Sequence, residues 1–156
     1  MLDRVAGGGP DVRAICARHG DDPSALIEIL HDLQEAAGFV PDAALPEIAD
    51  ALNISRAEVH GVVSFYHDFR RAPAGAVVVK ICRAEACQSM GALALIEAIT
   101  ARRGVALGGT SAEGVTIEPV YCLGNCALSP AAMVNGRLHG RLDADRLDAL
   151  VGGALP

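Results

Sequence analysis

The 156 residues suffice for one medium domain, or a smaller one with a helical extension, and at 51% hydrophobic the chain can build a core without disulfides. A net charge of −6 excludes the basic excess of a nucleic-acid surface. The charged opening MLDRVAGGGPDVRAICARHG holds no apolar secretory core, and the longest uncharged run, 119–136, is too rich in proline, glycine and asparagine to span a bilayer.

Residues 1–20 read as a flexible N-terminus, because Gly7-Gly8-Gly9-Pro10 breaks any regular element. The glycine run is no phosphate loop, since no strand precedes it and no Lys-Ser/Thr follows. Cys16 stands alone on a possible helix turn and reads as a buried, idle thiol. A helix is predicted over 23–37, capped by Asp22, opened by Pro23 and stopped by Gly38, with Leu26, Ile27, Leu30, Leu33 and Ala37 on one face. A second is predicted over 44–52. A third runs from Ser55 to about Phe65, where Ser55 and Glu58 have the spacing of a capping box. Residues 21–71 thus read as a three-helix bundle, and Ala72-Pro73-Ala74-Gly75 as a linker.

The rhythm then changes. AVVVKI (76–81) is a short β-branched strand ending at Cys82. Ser89 is placed to cap a helix over 90–103, closed by Gly104. A polar loop, 108–114, leads to the strand VTIEPVY (115–121), with Cys122 directly after it. AAMV (131–134) and RLHG (137–140), joined by Asn135-Gly136, predict a hairpin. Asp143 caps a final helix carrying Leu147, Leu150 and Val151. The order β-α-β-β-β-α describes an α/β layer over 76–152.

Cysteines therefore follow two strand ends: ICRAEACQSMG (81–91) and VYCLGNCALSP (120–130). A cytoplasmic protein without membrane insertion is expected, and in that reducing compartment Cys82, Cys87, Cys122 and Cys126 point to a metal or redox centre before disulfides. A thioredoxin-type dithiol wants C-x-x-C, and neither pair has it. Four thiolates could hold structural zinc, though zinc knuckles favour tight C-x-x-C turns. They could also hold a [2Fe–2S] cluster, for which longer C-x4-C arcs occur, and the loop chemistry favours it. None of the four has a histidine within three residues, as a Rieske site would need. Gly124 and the small side chains of Ala84, Ala86 and Ala127 suit loops whose backbone N–H groups face sulfur.

Three of the five aromatic residues, Phe65, Tyr66 and Phe69, cluster in SFYHDFR (64–70), as partner anchors or as core. His19, His31, His60, His67 and His139 are dispersed and read as surface or packing residues. Met90 and Met133 read as core filling. IADALNISRAEVHGVV (48–63) also has the form of a helix–turn–helix, which would make the chain a zinc-bound regulator. Its second helix offers only Arg56 as a cation, too little for phosphate contacts.

C-x4-C followed by CLGNC-x3-P resembles the thioredoxin-like [2Fe–2S] ferredoxins, especially the small flavoprotein-associated subunit of complex I. GFVPDAALPEIADALNISRAEVHGVVSFYHDF (38–69) resembles the helical unit of the same family, so the likeness spans about 22–151. Within it, CRAEACQSMGA (82–92) is most similar to the gamma subunits of soluble NAD-dependent formate dehydrogenases. The resemblance implies an α/β (α+β) fold, a helical bundle followed by a thioredoxin-like ferredoxin domain. It implies one [2Fe–2S] cluster per chain, with Cys82 and Cys87 on one iron and Cys122 and Cys126 on the other, and no catalytic residues. FMN and NAD would lie on a partner subunit, and through it electrons would come from a molybdenum- or tungsten-containing formate-oxidising subunit. The equivalent subunits of NADH:quinone oxidoreductase and of bidirectional NAD-linked hydrogenases share this pattern.

Overall fold

A computed structural model describes residues 9–156. The chain divides into two compact units, the first ending at Pro73 and the second beginning at Ala74.

The first unit is helical. Its opening helix, α1 (Val12–Arg18), corrects the expectation of a flexible stretch over residues 1–20; residues 1–8 lie outside the described part. The glycine run ends before Asp11, whose carboxylate accepts from the Ala14 N–H at 3.0 Å and caps the helix. Val12, Ile15 and Cys16 then fall on one buried face at helical spacing. The three predicted helices follow as α2 (Leu26–Ala37), α3 (Leu45–Leu52) and α4 (Arg56–Phe65), so the bundle has four helices where three were expected. Short 3-10 turns, Pro23–Ala25 and Asp42–Ala44, lead into α2 and α3. Gly38 closes α2 at φ +83, and Asn53 closes α3 at φ +52. The capping box of α4 forms in both directions, Glu58 N–H to Ser55 Oγ at 3.2 Å and Ser55 N–H to Glu58 Oε2 at 2.8 Å.

The aromatic cluster splits. Phe69 is buried at 6% exposure, whereas Phe65 is 72% exposed and Tyr66 42%. Gln34, nearly buried, holds the chain beside Phe69: its Nε2 donates to the Asp68 carbonyl at 2.8 Å, and its Oε1 accepts from the Arg70 N–H at 2.6 Å. Gln34→Leu removes a hydrogen bond from each of two backbone groups at once. A loss of about 2–4 kcal/mol is expected, read as a lower urea midpoint at near-constant slope.

The second unit is a four-stranded sheet with helices. In chain order it runs β1 (Val77–Cys82), α5 (Glu85–Ser89), α6 (Ala92–Arg103), β2 (Val115–Val120), β3 (Ala132–Val134), β4 (Arg137–His139) and α7 (Ala144–Gly152). The sheet order is β2-β1-β3-β4, with β1 parallel to β2 and antiparallel to β3. Val77, Val79, Ile81, Val115 and Ile117 form one buried cluster with side chains of α6 and α7. Asn135-Gly136 makes the β3–β4 hairpin, and Asp143 caps α7. The predicted cap of α6 is displaced. Ser89 Oγ turns back to the Ala86 carbonyl at 2.9 Å, closing α5, and Gly91 at φ +92 starts α6 instead. Met90, expected in the core, is 61% exposed. Gly75 has to be glycine: a Cβ there would overlap the Gly114 carbonyl.

Among the described residues no helix is long and apolar enough to cross a membrane.

Candidate metal centre

The parallel pairing of β1 with β2 sets Cys82 opposite Val120, so both strands reach their carboxyl ends side by side. Open α/β sheets present their binding crevices at such ends. Backbone bonds lock the corner: Arg83 N–H to the Val120 carbonyl at 2.7 Å, and Cys82 N–H to the Ala131 carbonyl at 3.0 Å. Beyond β1, the single turn of α5 carries Cys87. Beyond β2, Cys122 takes φ +93, a conformation rare for a residue with a side chain, and Gly124 follows at φ +73. Cys126 then opens a 3-10 turn, Cys126–Leu128.

Cys122 Sγ and Cys126 Sγ lie 3.9 Å apart. Two thiolates on one tetrahedral metal, with metal–sulfur bonds of about 2.3 Å, would sit about 3.8 Å apart. Backbone donors face the sulfurs. The Gly124 N–H reaches Cys122 Sγ at 3.3 Å. Burial pushes the Cys82 thiol up, but the N–H groups of Ala84, Cys122 and Leu123, with the Cys87 thiol, outweigh it and hold Cys82 below the ordinary thiol range. Cys126 is pushed up, first by the hydrogen bond and charge of Cys122, then by burial and by the charges of Cys87 and Cys82. The charges of Cys122, Cys87 and Cys82 thus act on Cys126. Yet among the described residues no three His, Cys, Asp or Glu side chains close to the spacing of a single-ion site. The 122–126 pair stands at one-metal spacing.

The two pairs differ in surroundings. Cys82 and Cys87 are each 2% exposed and packed with Ala84, Ala92, Ala131, Val120 and Leu123, whereas Cys122 and Cys126 face solvent. Cys16 is remote in role: it is fully buried in the helical core, and burial, then the charge of Asp21, pushes its thiol up. Two of the histidines have other partners: His19 Nε2 meets Asp32 Oδ2 at 2.9 Å, and the His31 ring packs on Phe69.

The sequence model of the thioredoxin-like [2Fe–2S] ferredoxins matches residues 12–154. The chain belongs to that family. Its members carry a [2Fe–2S] cluster and transfer electrons, and this site fits that group: four thiol donors, small side chains around them, and backbone N–H groups aimed at sulfur to offset negative charge. Among curated proteins, the chain is 37% identical to the E subunit of the NADH-quinone oxidoreductase of Pseudomonas aeruginosa, over 85% of this chain and 81% of that one. It is 34% identical to the E 2 subunit of the Rhizobium meliloti NADH-quinone oxidoreductase, over 90% and 84%. Among solved structures, an NAD+-reducing [NiFe]-hydrogenase in its air-oxidized state superposes with TM-score 0.69 at 27% identity. That match covers 83% of this chain and 22% of the hydrogenase chain.

Two residues of the site carry no motif signal. Ser129 Oγ donates to the Cys126 carbonyl at 2.8 Å and lies 3.4 Å from Cys87 Sγ. Gly140 passes so close to Asn125 and Leu128 that a Cβ would meet both at 2.7 Å. A hydroxyl three residues after Cys126 is the one hint the sequence offered for the first; for the second there was none.

Proposed function

We propose that this chain is the electron-transfer subunit of a cytoplasmic NAD-linked oxidoreductase complex, with Cys82 and Cys87 binding one iron of its cluster and Cys122 and Cys126 the other. The observation that carries the ligand set is the meeting of both cysteine loops at the carboxyl ends of two adjacent parallel strands, with one pair at 3.9 Å. When bound, the [2Fe–2S] group supplies one-electron exchange. The chain's own part is to hold it: β1 and β2 fix the loop origins, Gly124 and the 84, 122 and 123 amides direct N–H groups at sulfur, and the alanines around Cys82 and Cys87 keep water from that side. The flavin- and NAD-binding machinery belongs to a partner subunit, and the exposed rings of Phe65 and Tyr66 offer that partner apolar anchors.

Two leading complexes compete, beside a bidirectional NAD-linked hydrogenase, which the superposition on an NAD+-reducing [NiFe]-hydrogenase supports. The loop CRAEACQSMGA supports a formate dehydrogenase, in which the partner subunit leads to a molybdenum- or tungsten-containing formate-oxidising subunit. The identity to the E subunits of two NADH-quinone oxidoreductases supports that complex instead. Affinity capture of the chain under anaerobic conditions, followed by formate:NAD and NADH:quinone assays on the captured material, separates them. The cluster itself has a cheaper test. Anaerobically purified protein is expected to be reddish-brown, to contain about two irons and two labile sulfides per chain, and to give an EPR signal on reduction. Colourless protein with stoichiometric zinc would end this reading.

A further inference from the structure

We infer that Ser129 is a positioning residue that gives its hydroxyl hydrogen to the Cys87 sulfur and thereby raises the reduction potential of the bound cluster. The inference rests on the ligand set proposed above. Ser129 is 8% exposed and Cys87 2%, and the contact between them is buried. With Cys87 protonated, the chain of donors runs from Cys87 Sγ to Ser129 Oγ at 3.4 Å and from Ser129 Oγ to the Cys126 carbonyl at 2.8 Å. A metal-bound thiolate has no proton to give. Ser129 then holds the one hydroxyl proton between a thiolate and a carbonyl. That carbonyl has a second donor, the Ser129 N–H at 3.3 Å, so it keeps a partner when the hydroxyl rotates to sulfur. The sulfur gains a hydrogen bond to a charged acceptor, the stronger kind.

Such a bond stabilises the more negative, reduced site more than the oxidised one, and hydrogen bonds to sulfur are among the terms that set these potentials. The contact also joins the two cysteine loops, since Ser129 lies just beyond Cys126 while Cys87 belongs to the first pair. Removing the hydroxyl should therefore move the potential without removing a ligand.

The test is a redox titration of the iron-loaded full chain, followed by EPR and visible absorption. Ser129→Ala is expected to keep iron and sulfide and to lower the equilibrium constant for one-electron reduction about tenfold, which corresponds to about 59 mV more negative. Ser129→Thr, which retains the hydroxyl, is expected to stay with the parent. Should the alanine variant fold but load poorly, the isosteric pair Ser129→Thr and Ser129→Val makes the same comparison at constant volume. Equal potentials in loaded hydroxyl and non-hydroxyl variants would overturn the inference, as would a folded protein in which no variant lacking the hydroxyl takes up iron, because the role would then be assembly. Absence of iron from the parent would instead sink the ligand set.

Discussion

Cys122→Ser is expected to leave anaerobic purification without stoichiometric iron and labile sulfide and without visible absorption, while Cys16→Ala keeps all three. Cys122 sits at φ +93, where a side chain is tolerated only because the surrounding turn demands it, and its sulfur already receives the Gly124 N–H. A serine there keeps the strained backbone and replaces a soft thiolate by a hydroxyl that stays protonated near neutral pH, a poor iron ligand. Cys16 is the matched control. It is fully buried, its thiol is pushed up by desolvation, and it packs with Val12 and Ile15 in the helical core. Its loss costs about 1 kcal/mol of stability through a small cavity and nothing at the metal centre. Iron retained in the first variant, or lost from the second, would mean that the ligands have been misassigned.

Gly140→Ala should lower stability by about 1–3 kcal/mol and loosen the loop that carries Cys126. The added methyl would stand 2.7 Å from Asn125 Nδ2, Leu128 Cβ and the Leu128 carbonyl oxygen. The amide of Asn125 can swing aside. The Leu128 carbonyl cannot move so freely, because it accepts the Arg141 N–H at 2.6 Å and so ties the 3-10 turn to the chain after β4. Gly124→Ala is the informative comparison: it keeps φ +73 and meets nothing within 4 Å, so it costs only local backbone strain of about 1–2 kcal/mol. The expected result is faster loss of iron to a chelator from Gly140→Ala than from the parent, together with a lower melting temperature. Parent-like iron retention and melting would show that the 125–128 turn yields at no cost.

What the sequence disclosed were features whose cause lies within a few residues. The Ser55–Glu58 box, Asp143 before α7, Gly38 after α2 and Asn135-Gly136 between β3 and β4 each name a local hydrogen-bonding or φ requirement, and each is where it was expected. The four cysteines were grouped in the sequence because each pair follows the end of a strand. What stayed hidden depends on contacts between distant segments. Gly140 looks like any loop glycine until Leu128 is seen beneath it. Ser129 meets Cys87 across 42 positions. The helix at Val12–Arg18 was hidden by its neighbour, since a glycine run says nothing about the capped apolar face that begins at Asp11. Ser89 was misread for the opposite reason: a hydroxyl suited to opening one helix was used to finish another. Nor did spacing reveal which cysteine pair would be shielded.

That shielding makes the centre one-sided. Small apolar side chains back Cys82 and Cys87, whereas Cys122 and Cys126 stand open. On the proposed ligand set, ageing in air begins at the open flank: dioxygen and alkylating reagents arrive there first, and Cys122 and Cys126 are the first thiols to be consumed as the protein bleaches.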